Sequence, residues 1–171
     1  QMKKILRVFV VRHGESIWNH DSKFTGWTDI PLTQKGKKEA IQIANVLHHL
    51  DLKPDIYFSS VLNRSIKTAN IIKNKLNNDS TIITSWRLNE KHYGRLEGIQ
   101  RKYIREKYGI HFTNKLRNNY YIKPPIIDIN NVFLTKYPIF QNYYYHTIKE
   151  GESKENVLER FLPYFQNDIL Y

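Results

Sequence analysis

The feature that most constrains the fold is a run of apolar residues that ends abruptly in a charged turn. Residues 5–11 are mostly apolar and β-branched, and Arg12, His13 and Gly14 follow at once. A short apolar run bounded by a polar turn is typical of a buried strand. We therefore predict a first strand over residues 5–11, with Arg12 and His13 at its carboxyl end.

The rest of the chain alternates between helical and strand periodicity. The helical segments have apolar residues along one face and cover residues 33–50, 63–76, 101–107 and 152–165. Thr33 is the predicted N-cap of the first of them. The predicted strands are short and cover residues 56–58 and 81–84. This alternation predicts an α/β domain with a mostly parallel central sheet.

One long segment has no clear periodicity. It contains Pro124, Pro125, Pro138 and many tyrosines. We predict a lid-like insertion around residues 110–150 that covers a pocket.

The composition limits the classes of partner. The net charge is +11, but the lysines are scattered along the chain, and the enriched residues share A/T-rich codons. The charge therefore suits a small anionic substrate better than a nucleic acid. No apolar run approaches the roughly 20 residues of a membrane span. The N-terminus lacks the pattern of a signal peptide, and cysteine is absent. These features predict a cytoplasmic protein with no membrane partner.

The turn that follows the first predicted strand has the residues for phosphoryl chemistry. In an open α/β sheet, ligands bind outside the carboxyl ends of the strands. There, Arg12 could hold phosphate oxygens while the imidazole of His13 reaches phosphorus, and Gly14 would let the backbone approach the anion. From this tripeptide alone, a purely structural histidine at a strand end is an equally good interpretation.

Five motifs in order along nearly the whole chain decide between these interpretations. With them, the sequence resembles the cofactor-dependent phosphoglycerate mutases of the histidine phosphatase superfamily. The motifs are Arg12-His13-Gly14-Glu15-Ser16-Ile17-Trp18-Asn19, Phe24-Thr25-Gly26-Trp27, Ser60-Val61-Leu62-Asn63-Arg64-Ser65, Leu88-Asn89-Glu90-Lys91-His92-Tyr93-Gly94 and Gly151-Glu152-Ser153. The resemblance implies a three-layer sandwich in which helices flank the central sheet.

The resemblance also implies roles for individual residues. His13 would carry the phosphoryl group as phosphohistidine, with Arg12 and Arg64 on its oxygens. Glu90 would exchange a proton with the substrate oxygen. The same pocket would be lined by Asn19, Thr25, Gly26 and Tyr93. No metal is expected, because arginines hold the phosphate.

A second group of cations is implied for the distal anionic end of the substrate. The matching positions are Lys91, Arg101, Arg117 and Asn118. Lys91 stands where the family has arginine, Arg101 where it has lysine, and Asn118 where a second arginine is expected. Lysine lacks the planar fork of arginine, and asparagine has no charge. These departures favour hydrolysis over isomerisation.

The family pattern continues into another strand and a second active-site histidine. No histidine of this chain has the matching context, so we expect residues 1–171 to form a single phosphoglycerate mutase-like domain that lacks its C-terminal portion. A degenerate relative is the alternative.

Three functions are compatible with the sequence. The first is interconversion of 3- and 2-phosphoglycerate in glycolysis through phosphorylated His13, primed by 2,3-bisphosphoglycerate. The second is a phosphomonoesterase on the same scaffold, and the third is an inactive protein that binds phosphorylated ligands. In each case the partner is a small phosphorylated molecule, and the resemblance makes a homo-oligomer possible.

Overall fold

A computed structural model describes residues 6–124 and 151–171 and shows an α/β fold. The helices are α1 (Ile17–His20), α2 (Gln34–His49), α3 (Asn63–Lys75), α4 (Arg101–Asn118) and α5 (Lys154–Tyr164). The strands are β1 (Tyr57–Ser59) and β2 (Ile82–Thr84). Two 3-10 turns lie at Trp86–Leu88 and Gly94–Leu96, and a π-helical turn at Phe165–Ile169 follows α5.

The two strands pair in parallel, with Tyr57 opposite Ile82 and Ser59 opposite Thr84. Successive side chains of a strand point to opposite faces of the sheet. Tyr57 packs with the cluster formed by α2 and α3, whereas the ring of Phe58 meets the ring of Tyr164 in α5 at 6.4 Å. Helices therefore flank the parallel sheet, and the predicted fold class is confirmed.

The predicted first strand is wrong for the residues that the structure describes. Residues 6–11 have no regular secondary structure, and Val10 is 93% exposed. A strand needs a hydrogen-bonded neighbour, and among residues 6–124 and 151–171 β1 pairs only with β2. Apolar content alone therefore did not determine the conformation of residues 6–11. Residue 5 of the predicted strand lies outside the described residues.

The predicted helices at 33–50 and 63–76 are confirmed to within one residue, and the strands at 56–58 and 81–84 to within one residue. Helix α4 is longer than the predicted 101–107, because the chain resumes helical geometry after a kink at Gly109 with φ 83°. Residues 110–118 of the predicted lid are thus helical, and residues 125–150 lie outside the described part of the chain. Helix α5 begins two residues later than predicted, after the Ser153 N-cap.

Two glycines allow α2 to touch the loop that carries His13. A Cβ atom on Gly14 would overlap the backbone of Gly36, and a Cβ atom on Gly36 would overlap the backbone of Glu15. Thr33, the α2 N-cap, accepts a hydrogen bond from the amide of Gly36 and donates one to the Glu15 carbonyl oxygen. The start of α2 therefore supports the loop directly.

Among the described residues, no helix is both long and apolar enough to cross a membrane.

We predict that Gly36→Ala lowers the free energy of unfolding by about 1–3 kcal/mol, because the added methyl group overpacks the contact with Glu15. Helix propensity alone would give the opposite sign, a gain of about 1 kcal/mol. Urea unfolding measures the difference. Lys38→Ala on the exposed side of α2 is the control, and a more stable Gly36→Ala protein would contradict the contact.

Candidate active site

Both ring nitrogens of His13 form hydrogen bonds, one as a donor and one as an acceptor. Its Nδ1 donates to the Gly14 carbonyl oxygen at 2.7 Å, so Nε2 carries the lone pair. Nε2 accepts from Nε of Arg64 at 3.3 Å. Burial, with smaller contributions from the charges of Arg64 and Arg12, lowers the pKa of His13 to about 4. The ring is therefore neutral and nucleophilic at neutral pH.

Arg64 lies at the start of α3 and is only 1% exposed. Its two terminal nitrogens donate to the carbonyl oxygens of Thr28 at 2.9 Å and Gly26 at 2.7 Å. A further bond runs from Nη2 to the Glu90 carboxylate at 3.0 Å. The guanidinium thus joins α3, the 26–28 loop, His13 and Glu90 in one network.

Glu90 follows the first 3-10 turn and faces Arg64. Burial raises the pKa of the Glu90 carboxyl group, and the charge of Arg64 opposes this rise without cancelling it. A carboxyl group with a raised pKa is suited to give and take a proton near neutral pH. Its main chain is fixed as well, because the carbonyl oxygen accepts from the Trp27 indole at 2.7 Å.

Glu97 is a buried carboxylate that sequence reasoning missed. It accepts hydrogen bonds from the backbone amides of Trp27, Thr28 and Tyr93, each at 3.0 Å, and from the Thr28 hydroxyl at 2.6 Å. Gly26 has φ 58°, and a Cβ atom there would overlap this carboxylate. Glu97 therefore fixes the loop whose carbonyl oxygens hold Arg64.

Tyr93, Arg101 and Arg117 lie together beside Glu90. The Tyr93 phenol is hydrogen-bonded to Arg117, and burial raises its pKa. Burial and, to a smaller extent, the charge of Arg117 lower the pKa of Arg101. Arg101 also donates from Nε to the Ser22 carbonyl oxygen at 3.1 Å. Three of the predicted substrate-binding residues therefore form one cationic group.

Lys91 takes a different position from that of a ligand-facing cation. Its Nζ donates to the Leu116 carbonyl oxygen at 2.7 Å and lies over the Tyr93 ring. Burial, together with the charge of Lys154, lowers the pKa of Lys91 to about 8. Lys91 thus anchors the last turn of α4, and Asn118 is exposed at the end of that helix.

The remaining predicted residues are Arg12, Asn19 and Thr25. Arg12 is exposed, and its charge lowers the pKa of His13. The Asn19 side-chain oxygen accepts from the amide of Ser16 in a capping box, which leaves the Nδ2 group as its donor. The hydroxyl of Thr25 is buried and makes no hydrogen bond to any residue that the structure describes.

Arg160 and Glu152 are further residues to which sequence reasoning gave no role. Arg160 donates to the carbonyl oxygen of Glu90, and Glu152 accepts from the amide of His92. Glu152 lies in the motif Gly151-Glu152-Ser153, and Arg160 is eight residues further on. Both fall within the predicted helix at 152–165, and that prediction rested only on the apolar residues along one face. Backbone acceptors are alike in every residue, so these contacts leave no sequence pattern.

Within residues 6–124 and 151–171, no three His, Asp or Glu side chains are grouped so as to hold a metal ion.

Comparison with known proteins gives the family. Residues 8–129 match the family model of the histidine phosphatase superfamily (branch 1). The chain is 38% identical over 164 residues to a 2,3-bisphosphoglycerate-dependent phosphoglycerate mutase of Bifidobacterium longum, covering 95% of this chain and 66% of that protein. It is 37% identical over 167 residues to phosphoglycerate mutase 1 of Saccharomyces cerevisiae, covering 95% and 67% of the two chains. The chain belongs to the histidine phosphatase superfamily, and the resemblance to its mutases is confirmed.

The solved structures agree in fold. A mycobacterial glucosyl-3-phosphoglycerate phosphatase superposes with a TM-score of 0.67 at 23% identity, covering 92% of this chain and 64% of that one. The chain spans about two thirds of the length of the curated relatives that it matches, 66% for the mutase of B. longum.

We predict that the ring of His13 titrates near pH 4 as its Nδ1–H tautomer, because burial disfavours the imidazolium ion. Nitrogen NMR of the imidazole rings measures both properties, and the His13→Ala spectrum assigns the resonance. A His13 ring that titrates at about pH 6.5, the reference value for histidine in model peptides, would contradict the site geometry.

Arg64→Lys is predicted to lower kcat by about 10²–10³-fold, the usual cost of losing one donor to the transition state. Lysine has no planar fork, so it cannot hold the carbonyl oxygens of Gly26 and Thr28 while it faces His13. Initial rates and thermal unfolding measure the effect. Arg105→Lys, on the exposed side of α4, is the matched control. A rate within about twofold of wild type would exclude a phosphate-binding role for Arg64.

Proposed function

We propose that this protein transfers phosphoryl groups through a phosphohistidine at His13 and acts as a phosphoglycerate mutase. The observation that carries the proposal is the placement of one guanidinium, Arg64, between the Nε2 lone pair of His13 and the carboxyl group of Glu90. A nucleophile, a phosphate-binding cation and a proton donor are the three groups that the reaction requires.

In the first half-reaction, His13 Nε2 attacks phosphorus, and the ester P–O bond breaks. Glu90 in its acid form gives its proton to the departing oxygen, which leaves as an alcohol. Arg64 and Arg12 bind the phosphoryl oxygens as charge spreads over them. The bond from Nδ1 to the Gly14 carbonyl oxygen stabilises the ring as it gains positive charge.

The second half-reaction runs in the opposite direction. Glu90, now a carboxylate, takes the proton of an attacking hydroxyl group, and that oxygen bonds to phosphorus as the N–P bond breaks. In a mutase the hydroxyl belongs to a phosphoglycerate, and the product of this step is 2,3-bisphosphoglycerate. That bisphosphate returns its other phosphoryl group to His13 and leaves as the isomer of the original phosphoglycerate. Priming by 2,3-bisphosphoglycerate supplies the first phosphoryl group, in keeping with the names of the relatives.

The described residues suit these ligands. The cations Arg101 and Arg117 lie next to Glu90 and Tyr93, where they would bind the distal anionic group of the substrate. The Thr25 hydroxyl and the Asn19 amide group are donors for phosphate oxygens. A role in glycolysis in the cytoplasm is part of this proposal.

A phosphomonoesterase is the second candidate, and the position of Lys91 favours it. The bond from Nζ to Leu116 turns this cation toward α4, and Asn118 has no charge. With fewer distal cations, the phosphoglycerate acceptor is held less firmly, and water then competes for the phosphohistidine.

The deciding assay supplies 3-phosphoglycerate with a catalytic trace of 2,3-bisphosphoglycerate and follows both 2-phosphoglycerate and free phosphate. Isomer without phosphate supports the mutase. Phosphate without isomer replaces it by the phosphomonoesterase, and neither product rejects both.

His13→Ala is predicted to reduce either activity by at least about 10⁴-fold, since the covalent intermediate cannot form. Acid-labile, base-stable phosphate on the wild-type chain, absent from the variant, identifies the intermediate. Exposed His20→Ala is the control. Substantial activity in His13→Ala would reject the nucleophile.

Asn118→Arg is predicted to raise the ratio of isomer to free phosphate by roughly tenfold, because one charge-assisted hydrogen bond contributes on the order of 1.5 kcal/mol. Asn114→Arg, exposed one turn earlier on α4, controls for added charge alone. An unchanged ratio would show that distal charge does not limit isomerisation.

A further inference from the structure

A buried ion pair between α5 and the loop before it encloses the main chain around Glu90. Arg160 donates to both carboxylate oxygens of Glu152, from Nε at 2.6 Å and from Nη2 at 2.9 Å. Both side chains are almost fully buried. A buried charge pair is costly unless its remaining donors and acceptors are satisfied, and here they are satisfied by one short segment.

Arg160 holds the N-terminal side of that segment. It donates to the carbonyl oxygens of Arg87 at 2.7 Å, Asn89 at 2.8 Å and Glu90 at 3.1 Å. The guanidinium also lies 5.7 Å from the ring centre of Trp27, whose indole N–H donates to the same Glu90 carbonyl oxygen. Two donors therefore converge on one peptide group.

Glu152 holds the other side of Glu90. Its carboxylate accepts from the amide of His92 at 2.8 Å, and its own amide donates to the His92 carbonyl oxygen at 2.8 Å. Residues 87–92 are thus fixed before and after Glu90 by two side chains that pair with each other. The hydrogen bonds of Arg160 go to this segment, to the adjoining Trp86 carbonyl oxygen at 3.5 Å and to Glu152.

We propose that Arg160 and Glu152 form a clamp that positions Glu90 for proton transfer to the leaving oxygen. Both are positioning residues: Arg160 acts through the carbonyl oxygen of Glu90, and Glu152 acts through the main chain of His92, two residues further on. The inference rests on the proposed function, in which Glu90 is the acid of the first half-reaction. Loss of the clamp should affect the proton transfer and leave the phosphate-binding groups His13, Arg12 and Arg64 in place.

This selectivity can be measured through the leaving group. An alkyl phosphate expels an alkoxide, so its P–O bond breaks only as the oxygen is protonated. An aryl phosphate such as p-nitrophenyl phosphate expels a stabilised phenolate and needs little help from an acid. In both cases the N–P bond forms, the ester P–O bond breaks, and water later removes the phosphoryl group. A misplaced Glu90 therefore slows the alkyl ester and spares the aryl ester.

The test compares kcat/KM for phosphate release from 2,3-bisphosphoglycerate, the alkyl ester, and from p-nitrophenyl phosphate, the aryl ester, in the wild-type full chain, Arg160→Lys and Glu152→Gln. We expect a loss of about 10²-fold for the alkyl ester, the low end of general acid catalysis, and a loss of less than about threefold for the aryl ester. Glu159→Gln, exposed on the same helix, is the control and should change neither. Equal losses for both esters, or none, would overturn the clamp.

A double-mutant cycle with Glu90→Gln gives a second readout on the alkyl ester alone. If Arg160 acts through Glu90, adding Arg160→Lys to Glu90→Gln causes no further loss. Additive losses would overturn the proposal, and Glu152→Gln serves in the same cycle should Arg160→Lys fail to fold. If Glu90→Gln itself spares the alkyl ester, the proposed function fails; if Glu90→Gln is selective and the clamp variants are not, only this inference fails.

Discussion

The site depends on the burial of one guanidinium group. Arg64 has its bonds to the Gly26 and Thr28 carbonyl oxygens inside the protein, and it still faces His13 and Glu90. A planar cation with donors in a fixed fork can satisfy two loop carbonyls and a reacting group at the same time. Because the cation is almost fully buried, its position is set by the fold before any substrate arrives, and little reorganisation is needed at the moment of reaction.

Two buried carboxylates extend this arrangement outward. Glu97 accepts hydrogen bonds from the amides of Trp27 and Thr28, in the loop that holds Arg64. Glu152 accepts one from the amide of His92, two residues after Glu90. Neither one contacts His13 through a hydrogen bond that the described residues show. Glu97 and Glu152 thus use their negative charge to fix backbone amides in an otherwise cationic protein.

The sequence was informative wherever the signal is local. Helices α2 and α3 followed from apolar residues at helical spacing, and the Thr33 cap marked the start of α2. His13 and Glu90 followed from motifs. The strand at residues 5–11 did not, because a strand depends on a partner that its own residues cannot specify. Glu97 and Arg160 were missed for a related reason: each binds backbone atoms far along the chain, and a buried charge at such a position has no periodicity.

One contact has an optical consequence. Of the three tryptophans, Trp27 is fully enclosed and holds the Glu90 carbonyl oxygen through its indole N–H, with the Arg160 guanidinium over its ring. The emission of an indole depends on its hydrogen bond and on nearby charge. Trp27 is therefore an intrinsic fluorophore that reports on the Glu90 peptide group, and a displacement of that peptide changes the wavelength and intensity of its emission without any label.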